Sequence, residues 1–197
     1  MTLSISTSSV PIPVKVAVVG EVAVGKTSIV QRFTSNSFSP HVSTTAAAYS
    51  NRTVKVGESA YQLQLWDTAG QERFRSLSAM YYREAPAVVC VFDVQNPETL
   101  RQLEAYWIPE VRRGSPNCVC AICGNKCDLP RRVVSTRAGE EAAQRAGTLY
   151  FECSAFSGEG VGDMFCELAR QAVARGLTRQ DAQLIEFAAE PKKTQCC

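Results

Sequence analysis

The sequence predicts a three-layer α/β domain: a six-stranded, mostly parallel sheet with helices on both faces. Three observations carry that prediction. Short β-rich runs alternate with longer stretches of helical period from Val14 onward. Two runs, Ala87–Asp93 and Cys118–Gly124, are almost continuously apolar, as parallel strands covered on both faces must be. A glycine-bearing loop, Gly20–Thr27, stands between a strand-like and a helix-like segment.

The elements follow in order. Val14–Val19 is a strand, and Lys26–Ser35 is the helix after the loop. Tyr49–Val56 and Tyr61–Asp67 are strands joined by a hairpin turn at Gly57-Glu58-Ser59, which supplies the antiparallel member. Pro97 opens a helix with Leu100, Leu103, Trp107 and Val111 on one stripe, and Pro109 is expected to interrupt it. Thr136–Ala146 is a helix, Leu149–Cys153 a short strand, and Val161–Arg175 a helix striped by Met164, Phe165, Leu168, Ala172 and Val173. Residues 1–13 read as a disordered polar extension, 14–176 as the folded domain, and 177–197 as a tail.

Bulk properties bound the function. A net charge of +2 is too small to point to a nucleic-acid partner. No apolar run reaches the roughly 18–20 residues a transmembrane helix needs. Met1–Pro13 lacks the basic start of a secretory signal, so a reducing compartment is expected for the nine cysteines. Four of them, Cys118, Cys120, Cys123 and Cys127, invite a zinc reading, but Cys118–Cys123 reads better as a buried strand whose thiols pack as small hydrophobes.

Gly20-Glu21-Val22-Ala23-Val24-Gly25-Lys26-Thr27 has the pattern G-x-x-x-x-G-K-[ST] in the strand–loop–helix setting that such a phosphate loop requires. Backbone N–H groups would surround the phosphates, Lys26 would bridge the terminal ones, and the Thr27 hydroxyl would bind Mg2+. Asn125-Lys126-Cys127-Asp128 follows an apolar strand, at the end where α/β sheets bind ligands. A carboxylate at Asp128 can accept from the N1–H and N2–H groups of guanine, where adenine offers an acceptor and is rejected. Asn125 would brace the loop, and the Lys126 stem can lie over the purine. Ser154-Ala155 can offer backbone N–H groups to the base, and Phe38, twelve residues after Lys26, can pack on its edge. In Trp66-Asp67-Thr68-Ala69-Gly70-Gln71-Glu72, Asp67 is the acidic partner for the metal shell. Gly70 permits close approach to the γ-phosphate, and Gln71 has the donor and acceptor needed to hold an attacking water.

Together these motifs resemble the Ras-like small GTPases, and among them the Rab family, over about 160 residues from Val14 to Gly176. Trp66–Phe74, Met80-Tyr81-Tyr82-Arg83, Ser115-Pro116-Asn117 and Gly124–Leu129 are most similar to its early-endosomal branch. The resemblance implies a P-loop G domain that binds GTP and GDP with Mg2+ and hydrolyses GTP with Gln71 as the catalytic residue. Its nucleotide contacts would come from Gly20 to Ser28, Phe38, Thr44, Gly70, Asn125, Lys126, Asp128, Leu129, Ser154, Ala155 and Phe156. It also implies two nucleotide-dependent loops, around Ser37–Ala47 and Gly70–Tyr82, and an effector surface at Tyr49, Trp66 and Tyr81. The last residues, Cys196 and Cys197, match the doubly prenylated end of many Rab proteins, and two lipid chains anchor stably where one does not. Implied partners are GTP-dependent effectors, exchange factors, activating proteins, the prenylation escort and the GDP-dissociation inhibitor. The expected setting is a monomer on the cytoplasmic face of endosomal membranes, with a cytosolic pool.

Three departures stand out. Val22 occupies a position that is small in the family, and a branched side chain there crowds the γ-phosphate, so slow hydrolysis is expected. The first switch reads Ser43-Thr44-Thr45-Ala46, without the family's glycine. Counting back from Trp66 makes Thr44 the metal-binding threonine, which keeps Tyr49 on the family's aromatic; counting forward from Lys26 makes it Thr45. Phe156 replaces a lysine, and its ring can stack instead. Two other readings have separate signatures. A kinase or ATPase on the same loop would bind ATP in preference, which Asp128 opposes. A module that holds GTP without turnover is favoured by Val22 and opposed by Gln71.

Overall fold

The computed structural model describes residues 10–39, 47–71 and 75–177. Six strands, β1 (Ile12–Gly20), β2 (Ala48–Val56), β3 (Ser59–Asp67), β4 (Ala87–Asp93), β5 (Val119–Asn125) and β6 (Leu149–Cys153), form one sheet in the order β2-β3-β1-β4-β5-β6. Only the β2–β3 hairpin is antiparallel; the pairs β3–β1, β1–β4, β4–β5 and β5–β6 are parallel. The helices are α1 (Lys26–Ser35), α2 (Arg75–Tyr82), α3 (Pro97–Gln102), α4 (Ile108–Gly114), α5 (Thr136–Ala146) and α6 (Val161–Ala174), with a π-helical segment, Leu103–Trp107, joining α3 to α4. The predicted fold class is the one observed.

Alternation along the strands builds the three layers. Val14, Val16 and Val18 of β1 face a core completed by Ile29 and Phe33 of α1 and by Met164, Phe165 and Leu168 of α6. Ala17 and Val19 face the opposite core, with Leu103, Trp107, Ile108 and Val111, and Ala142 and Ala143 of α5. The same alternation separates the cysteines. Cys120 packs on the second core and Cys123 lies in the first, so β5 turns them to opposite faces of the sheet. Burial pushes the Cys118 thiol up to about 12, far from the thiolate that zinc binds.

Several boundaries differ from the sequence reading. β1 begins at Ile12 rather than Val14, because Ile12 and Pro13 already pair with Tyr61 and Gln62. Val56 pairs with Ser59, so the hairpin turn is the two residues Gly57 and Glu58. Pro109 does not interrupt the third helical stretch. The Ile108 amide donates to the Leu103 carbonyl five residues back, and this wider π turn resets the hydrogen-bond ladder before the proline, which has no N–H to contribute. The stretch Gly70–Tyr82, expected as a nucleotide-dependent loop, contains the helix α2 over Arg75–Tyr82.

Candidate nucleotide site

The loop after β1 reverses the chain in five residues and delivers it to the N-terminus of α1. Gly25, at φ 95°, is the helix N-cap, and a Cβ there would fall on the Asn125 amide nitrogen. A cleft of about 370 Å³ opens at the carboxyl ends of β1 and β5. This is the end of an α/β sheet where ligands bind.

The phosphate end of the cleft is lined by Val22, Ala23, Gly25, Lys26, Thr27, Ser28 and Gly70. Lys26 is 6% exposed, and its Nζ donates to the carbonyls of Gly20 at 2.9 Å and Glu21 at 2.7 Å. Burial lowers its ammonium to about 8, against the opposing pull of Asp67 and Glu21. A polyanion bound in the cleft would add charge that favours the cation. The Thr27 hydroxyl donates to Asp67 Oδ2 at 2.6 Å, and Asp67 Oδ1 is buried. Two hard oxygen donors from α1 and β3 thus meet at one point, which suits Mg2+. Gly70 packs against this end: a Cβ there would lie 2.5 Å from the Glu21 carbonyl and from Lys26 Nζ. Gln71 follows it, half-buried, and Val22 stands in the cleft wall at 45% exposure.

The base end is lined by Phe38, Asn125, Lys126, Asp128, Leu129, Ala155 and Phe156. Asn125 Nδ2 donates to the Val24 carbonyl at 2.8 Å, and its Oδ1 accepts from the Ala155 amide at 3.2 Å. One buried side chain therefore joins the phosphate loop to the loop after β6. Asp128 lies exposed at the mouth, where its Oδ1 accepts from the buried Ser154 hydroxyl at 2.6 Å. Lys126, held at φ 69°, pairs with Asp93 Oδ2 at 2.6 Å. Phe38 and Phe156 meet edge-to-face with centroids 5.5 Å apart, forming an aromatic wall.

Gly20, Glu21, Val24 and Ser154 do not line the cleft; they act on it through the Lys26, Asn125 and Asp128 contacts above. Thr44, Thr45, Cys196 and Cys197 lie outside the described residues. The three rings Tyr49, Trp66 and Tyr81 form one continuous row beyond the cleft, with centroid spacings of 5.2 and 5.4 Å.

Some supports carry no signal in the sequence. Arg32 of α1 donates to the carbonyls of Ala155 at 2.9 Å and Phe156 at 2.6 Å, clamping a loop more than a hundred residues away. Arg132 grips Glu152 with two hydrogen bonds, at 2.6 and 2.8 Å, just before the Ser154 turn. Nothing local distinguishes these arginines from solvated surface ones. Asp93 was legible only as a strand end, although its register opposite Asn125 is what brings it to Lys126.

The Gly20–Thr27 loop, the Thr27–Asp67 pair and the Asn125–Asp128 element thus meet around one cleft of a P-loop α/β sheet. The chain belongs to the Ras family, whose sequence model matches residues 15–174, and within that family to the Rab group of small GTPases. It is 36% identical over 191 residues to Ras-related protein Rab-5A of Dictyostelium discoideum, covering 93% of this chain and 94% of the relative. It is 37% identical over 190 residues to human Ras-related protein Rab-22A, at 93% and 97% coverage. GTP-binding protein ypt5 of Schizosaccharomyces pombe is 37% identical over 197 residues, with 93% of each chain covered.

Proposed function

We propose that this GTPase is a slow guanine-nucleotide switch that acts in endosomal membrane trafficking by recruiting effectors in its GTP form. The observation that carries the reading is the seating of Asp128, fixed by Ser154 in the same cleft that holds Lys26 and Thr27. In this reading Asp128 accepts from the guanine N1–H and N2–H groups, Phe38 and Phe156 flank the base, and Lys126 packs along it. The loop amides and Lys26 neutralise the phosphates.

Thr27 and Asp67, with Thr44 or Thr45, would hold Mg2+, and the ion would supply neutralisation of phosphate charge. Gln71 orients the attacking water. Val22, in the cleft wall, narrows the space beside the terminal phosphate in which Gln71 or a partner's arginine must work, and this is the reason for slow turnover. Tyr49, Trp66 and Tyr81 present a half-exposed aromatic face suited to a GTP-dependent effector. Cys196 and Cys197 would carry the lipid anchor that holds the protein at the cytoplasmic face of early endosomes. The escort, the dissociation inhibitor, exchange factors and activating proteins are the corresponding regulators, and the switch works as a monomer.

A second reading, a GTP-holding module with negligible turnover, is favoured by the 45% exposure of Val22 inside the cleft. Nucleotide extraction from the purified protein, followed by a GTP turnover time course, tests both. Bound guanine nucleotide with measurable phosphate release supports the switch. Bound GTP that persists over hours supports the holding module, and bound adenine nucleotide contradicts both.

A further inference from the structure

Glu21, the second residue of the phosphate loop, faces two ways. Its carbonyl accepts from Lys26 Nζ inside the cleft. Its carboxylate turns out of the cleft, where Oε1 accepts from Arg75 Nη2 at 2.5 Å and from Trp107 Nε1 at 2.8 Å. Arg75 is the first residue of α2, and its guanidinium also lies 4.6 Å over the Tyr106 ring and 5.8 Å from that of Trp107. Both rings come from the π-helical segment. The Arg75 and Glu21 side chains are only 18% and 17% exposed, so salt screens this pair less than a surface one. The stacked, planar guanidinium fixes direction as well as charge.

Gly70 approaches the same residue from the other side, with its would-be Cβ 2.5 Å from the Glu21 carbonyl. Gly70 and Arg75, five residues apart, therefore both lie against Glu21, the first at its backbone and the second at its carboxylate. We propose that Arg75 is a positioning residue: through Glu21 it moors the start of α2 to the phosphate loop and so sets how Gly70 and Gln71 meet the terminal phosphate. The proposal rests on the guanine-nucleotide reading above. In that reading a γ-phosphate would compete with the Glu21 carbonyl for Lys26, and the mooring would adjust between the GDP and GTP states. Trp107, bonded to the same carboxylate oxygen, reports that adjustment.

The test is fluorine NMR of the full chain labelled with 5-fluorotryptophan, which gives two resonances, one from each tryptophan. Trp66→Phe serves only to assign them. The Trp107 resonance is expected at different positions with GDP and with a non-hydrolysable GTP analogue. In Arg75→Met the two positions merge and single-turnover hydrolysis slows at least threefold, while GDP affinity stays within twofold. Arg75→Lys, which keeps the charge but not the planar stacked group, restores the separation in part, and an unchanged melting temperature of Arg75→Met guards against a folding artefact. An Arg75→Met protein that keeps both positions overturns the proposal whatever its hydrolysis rate. Failure of the parent protein to bind guanine nucleotide overturns the functional reading beneath it, and is seen before any variant is made.

Discussion

The side-chain amide of Asn125 donates to the backbone carbonyl of Val24 at 2.8 Å, joining two loops 101 residues apart. Its other end accepts from the Ala155 amide, so the phosphate and base ends of the cleft are set by one residue that is 1% exposed. Asn125→Ala leaves a buried carbonyl and a buried amide without that partner. A loss of about 2–6 kcal/mol in unfolding free energy is expected, at roughly 1–3 kcal/mol for each of the two unsatisfied groups. Urea denaturation measures it, and a loss below about 0.5 kcal/mol would show that the loops hold without the brace.

Asp128 makes its own prediction. Replacing it with Asn turns one acceptor oxygen into a donor where, in the proposed reading, the guanine N–H groups would lie. The expected cost is at least a hundredfold in GDP affinity, about 3 kcal/mol. Calorimetric titration of both proteins with GDP reads it directly, and equal affinities would remove Asp128 from base recognition.

Val22 predicts a gain. Val22→Ser removes a branched methyl pair from the cleft wall, and single-turnover GTP hydrolysis should quicken several-fold with little change in GTP affinity. A serine variant no faster than its parent would locate the slow step elsewhere.

Glu152 predicts a pH dependence. Burial raises its carboxyl, but the Arg132 and Tyr150 hydrogen bonds outweigh that, and the net shift is downward. A carboxylate whose folded pKa is depressed contributes stability above its unfolded value, about 4.3, and loses it as pH falls through the folded value. The difference in Tm between the parent and Glu152→Gln should therefore be largest above about pH 5 and shrink on acidification. A difference that grows toward low pH would reverse the sign of the argument.

How much of this was legible in the sequence follows from how local each signal is. The strand periods, the Gly20–Thr27 loop and the Asn125–Asp128 element are contiguous patterns, and residues of both motifs line one cleft. The π turn ahead of Pro109 was not legible, because a proline in a helical pattern reads as a break unless the ladder widens before it. Neither was the Arg75–Glu21–Trp107 contact, which depends on α2 lying against the π segment, nor the Arg32 clamp, since both link residues far apart in the chain. The paired roles of Ser154 and Asp128 were half visible: each was placed at the base, and only the fold shows that one holds the other.

The central claim is that this cleft selects guanine. Competition binding settles it most directly, with labelled GDP on the purified full chain in Mg2+ buffer challenged by unlabelled GTP and ATP. GTP should displace the label at near-equal concentration, and ATP should fail at a thousandfold excess. Displacement by ATP as readily as by GTP would contradict the account.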